Sequence, residues 1–320
     1  MRVFKDSESP LHENNRAVTA SAPPPSGLAE VKCLLAVASA RGGTGKSAIT
    51  VNLAMALAHL GSKVGILDAD FNSPSVLAML GMKPARRPPF SEWIEPSSGP
   101  SGLRLVASDL IPDPHFVPPD FGEIQETIPS ENNGHPSADL GYSEALATLL
   151  HRTRFGALDL LLIDLAPGLE SLARLIQLAQ RAAILVISHP SEQSARASAM
   201  MLEFAASKNV SIYGIIENMV GFHCDRCHSV RPLMHQGGIA AIASAARVPL
   251  LERFPFDPRL SETTDRGVTL VREYPEVPLA KELIATAQNL KRALPALAAA
   301  QNPNASSLAQ SLSSNPVSAG

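Results

Sequence analysis

From residue 31 to residue 300, short runs of consecutive apolar residues alternate with longer segments whose apolar positions recur at helical spacing. Leu34–Ala38 is apolar at every position, as a strand buried on both faces should be. Residues 63–67, 103–106, 158–163, 183–187, 212–216 and 248–251 repeat that pattern. Residues 46–60, 169–180, 191–206 and 279–300 read as helices between or after them. Strand and helix in alternation predict an α/β fold of three layers, a mostly parallel sheet with helices on both faces.

The alternation breaks at residues 83–139. This stretch carries Pro84, Pro88, Pro89, Pro96, Pro100, Pro112, Pro114, Pro118, Pro119, Pro129 and Pro136, a density that prevents long helices and central strands. It reads as an extended insertion holding the strand at 103–106. Residues 1–30, with Pro23-Pro24-Pro25, and residues 301–320, rich in Ser, Ala and Asn, read as disordered tails around one domain of residues 31–300.

Composition narrows the setting more than the chemistry. With 45% apolar residues, the 320-residue chain has enough for one large core. Its net charge of -3 gives no reason to expect nucleic acid or a membrane surface as partner. The apolar runs fall far short of the roughly 20 residues that span a bilayer, and residues 1–27 hold no apolar stretch of the secretory kind. Three cysteines cannot build a disulfide framework, so a reducing, cytoplasmic location is expected.

The chemistry begins at Ser39-Ala40-Arg41-Gly42-Gly43-Thr44-Gly45-Lys46-Ser47, between the first strand and the first helix. Glycines let successive backbone N–H groups converge on an anion, and the helix N-terminus adds its positive dipole. In such a loop Lys46 neutralises the β- and γ-phosphates of ATP and the Ser47 hydroxyl coordinates Mg²⁺. The stretch Gly42, Gly43, Thr44, Gly45, Lys46, Ser47 and Ala48 is the expected nucleotide contact. The loop resembles the deviant Walker A type, in which a cation before the double glycine, normally lysine, reaches the partner subunit's nucleotide. Arg41 keeps that charge on a larger, planar group. Ala48 lacks the hydroxyl usual at its position, and slow hydrolysis is expected.

Two acidic strand ends follow. Asp68 and Asp70 close the second strand, and residues i and i+2 of an extended segment face the same side. The resemblance assigns Asp68 to the metal shell and Asp70 to orienting the attacking water; a plain role in capping the next helix is the competing reading. Leu160-Leu161-Leu162-Ile163-Asp164 delivers Asp164 to the carboxyl end of the sheet, where ligands bind in open α/β folds. Asp164 is expected to hold Mg²⁺ through water.

His223-Cys224-Asp225-Arg226-Cys227-His228 places two thiols in a tight turn. Such a pair suits Zn²⁺ or an iron–sulfur cluster and supplies half of a four-thiolate site. The rest must come from His223, His228 or His235, or from a second subunit.

Taken together, Asp68-Ala69-Asp70-Phe71-Asn72-Ser73-Pro74-Ser75, Asp164-Leu165-Ala166-Pro167-Gly168, Glu217-Asn218-Met219 with the cysteine pair just after it, Gln236-Gly237-Gly238 and Pro255-Phe256-Asp257-Pro258 resemble the Mrp/ApbC iron–sulfur cluster carriers. The resemblance covers residues 34–290 apart from the Pro-rich insertion. It implies a homodimer in which Cys224 and Cys227 of both subunits hold one 4Fe–4S cluster on the two-fold axis. It also implies an upstream cluster scaffold and client apo-proteins as partners, ATP-controlled loading or release, and adenine contacts at Asn218 and near Pro255. The chain departs from the family after Asp164, where Ala166-Pro167-Gly168-Leu169-Glu170-Ser171 replaces Pro-Pro-Gly-Thr-Gly-Asp. Its aromatic-Arg-Gly-Pro-Met segment survives at most as Leu140-Gly141-Tyr142. A competing reading is a regulatory or positioning ATPase like the partition and septum-site proteins, with the cysteines on a structural zinc. Against it, residues 279–300 lack the Lys/Arg-rich face of a membrane-surface helix.

Overall fold

The computed structural model describes residues 26–83, 93–107, 138–223, 226–227, 229–233 and 238–302. Residues 1–25 and 303–320, the prolines at 84–89 and 112–136, Cys224, Asp225, His228, His235, Gln236 and Gly237 lie outside the described residues.

Among the described residues, nine strands form one sheet: β1 (Leu34–Ala38), β2 (Val64–Ala69), β3 (Ser97–Ser98), β4 (Arg104–Ala107), β5 (Leu160–Leu165), β6 (Ala183–Ser188), β7 (Ile212–His223), β8 (Val230–Arg231) and β9 (Leu250–Phe256). Their order is β3-β4-β2-β5-β1-β6-β7-β8, with β9 also beside β7. Every pairing is parallel except β3 with β4 and β8 with β7. The expected mostly parallel sheet is therefore what forms.

The layers follow from strand periodicity. Along β1, Leu34, Ala36 and Ala38 enter a core with α3 (Ala138–His151), α4 (Leu169–Leu178), α5 (Glu192–Ser207) and α6 (Ile239–Ala245). Leu35 and Val37 point the other way. They enter a core with α1 (Lys46–His59), α2 (Val76–Met79), α7 (Pro258–Asp265), α8 (Leu270–Glu273) and α9 (Pro278–Ala300). Each fully buried Leu or Val contributes about 1.5–3 kcal/mol, so a strand apolar on both faces is held from both sides. Helix α1 is buried over most of its length, from Ile49 to Leu57, and α9 packs Leu283, Ala287 and Leu290 into the same core. The N-terminus of α1 is thereby fixed at the carboxyl end of the central strands. Among the described residues no helix is long and apolar enough to cross a membrane.

Strand β9 starts two residues later and runs five residues further than the expected 248–251, and β3, β8, α6, α7 and α8 were not expected; three other differences have identifiable reasons. Strand β7 continues seven residues past Ile216, because polar Glu217 is buried against a partner: Arg253, opposite it on β9, donates to Glu217 at 2.6 Å. Helix α3 begins inside the stretch assigned to the insertion and packs Leu146, Leu149 and Leu150 into the core at helical spacing. The ends also fold in. Gly27 N–H donates to the His151 carbonyl at 2.9 Å, and Leu28 is buried. The Gln301 side chain accepts from Leu34 N–H at 2.8 Å and donates to the Leu34 carbonyl at 2.9 Å, pairing with β1 as a neighbouring backbone would.

Candidate functional site

Between Ala38 and Lys46 the backbone turns through Gly43 and Gly45, whose φ values of 77° and 81° suit glycine alone. A Cβ on Gly45 would also lie 2.5 Å from Asn218 Nδ2. Gly45 is the N-cap of α1 and has no side chain to cover the first-turn N–H groups. By contrast, α5 is capped by Ser191 and α7 by Asp257. The uncovered N–H groups and the helix dipole make an anion cradle. Two bonds brace it from below: Gly168 N–H donates to the Ser39 carbonyl and Asn218 Nδ2 to the Thr44 carbonyl, both at 2.8 Å.

Asp164 is the hub of the pocket. Its carboxylate meets Lys46 Nζ at 2.8 Å and accepts from Ser47 Oγ at 2.6 Å and Thr50 Oγ1 at 3.0 Å. Lys46 and Asp164 are 6% and 0% exposed, so neither charge has water to fall back on. Thr50 was not among the residues expected at the site. It lies one helical turn after Lys46, and that i, i+4 spacing was the available signal.

Asp68 stands opposite Asp164 in the β2–β5 register. Its carboxylate accepts backbone N–H bonds from Asp70 (3.1 Å), Ser75 (2.8 Å) and Val76 (3.0 Å), so it also closes the turn into α2. Burial, and then the negative charge of Asp164, still push its pKa up to about 6. Asp70 is nearly buried and accepts from Ser73 N–H at 3.2 Å. Both acids thus shape the turn, and Asp68 also faces Asp164.

Of the other predicted positions, Arg41, Gly42 and Gly43 are exposed. The Arg41 charge reaches His189, just past β6, whose imidazole pKa is lowered by burial first and Arg41 second. Ala48 packs its methyl group against the core on the α9 side. Pro255 is buried in β9 beside β7 and lines a cavity of about 130 Å³ with Phe222, Phe256, Asp257, Arg259 and Leu279.

The cysteine turn joins β7 to β8. Phe222 pairs with Arg231 and His223 with Val230, so β7 and β8 run antiparallel as the two arms of a hairpin. Arg226, Cys227 and Ser229 are exposed there, with Cys227 Sγ 3.0 Å from Ser229 Oγ. Strand β7 therefore passes from the phosphate loop at Asn218 to the cysteine turn within a few residues. On the way its pairing with β9 shifts register, and Met219 takes a left-handed φ of 61°.

These residues fit a magnesium nucleotide. Ser47 Oγ and the carboxylates of Asp164 and Asp68 are hard oxygen donors of the kind Mg²⁺ prefers. Thr44 Oγ1 and Ser39 Oγ are buried without a hydrogen-bond partner among the described residues, and phosphate oxygens beside the loop would satisfy such groups.

Known proteins agree with this geometry. The iron–sulfur cluster carrier protein of Saccharolobus solfataricus is 31% identical over 261 residues, 80% of this chain and 82% of that protein. The human cytosolic Fe–S cluster assembly factor NUBP2 is 31% identical over 278 residues, 85% of this chain and 97% of that protein. A nucleotide-binding protein from Archaeoglobus fulgidus, solved in complex with ADP, superposes with a TM-score of 0.61 at 26% identity over 80% of this chain and 93% of that one. A family model described as ParA, NUBPL iron-transfer P-loop NTPase, matches residues 30–115 and 140–291, leaving out only part of the Pro-rich stretch in between. With loop, acids, sheet order and sequence all in agreement, the chain belongs to the NUBPL iron-transfer family of ParA-type P-loop NTPases.

Proposed function

We propose that this chain is an ATP-binding iron–sulfur cluster carrier with slow ATP hydrolysis. It works as a homodimer, holding a 4Fe–4S cluster between Cys224 and Cys227 of both subunits and passing it to apo-proteins. The observation that carries the reading is the course of β7, which is bonded to the phosphate loop through Asn218 and leads directly into the cysteine hairpin. A nucleotide-dependent change in the loop thus has a short mechanical route to the thiols. The names of the relatives, a cluster carrier and a cluster assembly factor, support the same cargo.

At the nucleotide, Lys46 exchanges its bond to Asp164 for the β- and γ-phosphates, one anion for another, so its buried charge stays paired. Ser47, backed by Asp164, would hold Mg²⁺, which would supply charge neutralisation at the phosphates. Asp70 orients the attacking water, and Asn218 and Pro255 border the base. Arg41, which is exposed, is the cation we assign to the partner subunit's nucleotide.

Anaerobic reconstitution with iron and sulfide tests the cargo. The expected result is about four irons per dimer with broad visible absorption, both lost in Cys224→Ala and Cys227→Ala. Tightly bound zinc, with no cluster formed and no transfer to an apo-protein, would replace this reading with a structural-zinc ATPase.

A further inference from the structure

Tyr142 was noted in the sequence only as part of a departed family segment, yet it stands at the junction of the two acidic strand ends. From α3, its hydroxyl donates to the Ala69 carbonyl at 3.0 Å, in the peptide that links Ala69 to Asp70. Its ring meets Phe71 edge to face, with centroids 4.8 Å apart and planes at 70°. The Arg174 guanidinium lies 5.8 Å from the ring centroid. Arg174 is on α4, the helix that starts five residues after Asp164, and it also bonds Ser143 of α3 and Glu170 of α4. One aromatic side chain thus touches the segment that carries Asp70 and the helix that follows Asp164.

The chemistry of the phenol suits a fixed donor. Burial first, and the negative charge of Asp70 second, raise its pKa above the ordinary tyrosine value. It therefore stays protonated at working pH, and the same effect places the Asp70 carboxylate within electrostatic reach of the ring.

We infer that Tyr142 is a positioning residue for ATP hydrolysis, holding the Ala69 peptide so that Asp70 keeps its direction toward the attacking water. The inference rests on the role proposed above for Asp70. In the step concerned, the water oxygen bonds to the γ-phosphorus as the bond to the β–γ bridging oxygen breaks. ADP leaves, and the water proton passes to the phosphate product or to solvent. Tyr142 acts on this step through the backbone and touches none of the reacting atoms.

Tyr142→Phe keeps the ring against Phe71 and Arg174 and removes only the donor. The full chain is compared with this variant for kcat, KM for ATP, mant-ATP affinity and thermal midpoint, in wild-type and Asp70→Asn backgrounds. Loss of one net hydrogen bond predicts a fall in kcat of about 2- to 10-fold, with KM and mant-ATP affinity within about twofold. In the Asp70→Asn background the same change is expected to have no further effect, since the two residues act as one unit. A Tyr142→Phe variant at the wild-type rate, or one equally slowed in both backgrounds, overturns the role of Tyr142 and leaves that of Asp70 standing. An Asp70→Asn variant at the wild-type rate removes the role of Asp70, and this inference with it. A purely structural tyrosine would show a lower thermal midpoint and weaker mant-ATP binding in place of a kcat-only loss.

Discussion

Strand β7 joins two regions built on opposite terms. At Asn218, 2% exposed, the strand lies under the phosphate loop, where each charge has a partner: Lys46 on Asp164, Glu217 on Arg253, and Asp68 on three backbone N–H groups. At Phe222, 36% exposed, it leaves the sheet body for a hairpin whose Cys227 and Arg226 stand in solvent. The pocket binds an anion and must hold uncompensated donors in place before the ligand arrives. On the function proposed above, the hairpin hands cargo to other proteins and must be reachable. Stability is therefore concentrated at one end of the strand and accessibility at the other.

The sharpest way to break this contrast is Asp164→Ala. It strands the Lys46 ammonium in a buried site and is expected to cost about 3–5 kcal/mol in denaturant unfolding, together with loss of magnesium-dependent ATP binding. If the variant unfolds at the wild-type midpoint, the pocket is not a stability centre of the fold. Asn218→Ala is expected to cost about 1–2 kcal/mol, because the Thr44 carbonyl loses its buried donor. The more telling readout is cluster release: the difference in rate with and without ATP should shrink in Asn218→Ala, and an unchanged difference would show that the loop and the hairpin communicate by another route.

A smaller effect concerns pH, away from both regions. Glu282 on α9 has its pKa raised from 4.5 to about 7, by burial first and by the charge of Glu252 on β9 second. Since the folded pKa lies above the unfolded one, its contribution is fully present below pH 4.5 and is lost as pH rises through about 7. Glu282→Gln should flatten that part of the stability profile, by about 1 kcal/mol once solvent screening is allowed for. Parallel profiles for the two proteins would exclude the titration of Glu282 as the cause. The smallest stability change is expected for Cys227→Ser, within about 0.5 kcal/mol of wild type, although it should abolish cluster binding. Thermal melts of the apo-protein read the first effect and iron analysis the second.

Much of this was legible in the chain. Contiguous motifs report their own geometry: Gly43, Gly45, Lys46 and Ser47 make the loop wherever a strand precedes them and a helix follows. Asp164 was legible because four apolar residues lead to it. Helix α3 was harder, since a proline-dense neighbourhood hides a short amphipathic repeat whose apolar face is defined only by the sheet it covers. The length of β7 was hidden for a related reason, as Glu217 ends an apolar run in sequence but not a strand in space.

Local order along the chain determined the alternation of strand and helix, the phosphate loop and the cysteine turn, because each depends on residues within a few positions of one another. Tertiary structure alone decided which distant groups meet. Asn218 reaches the Thr44 carbonyl, Tyr142 the Ala69 carbonyl and Gln301 the backbone of Leu34. Each of these contacts joins a side chain to a backbone group far away in sequence. A backbone carbonyl has no residue-specific signature, so nothing in the sequence could announce the partner. Packing against the sheet brought them together.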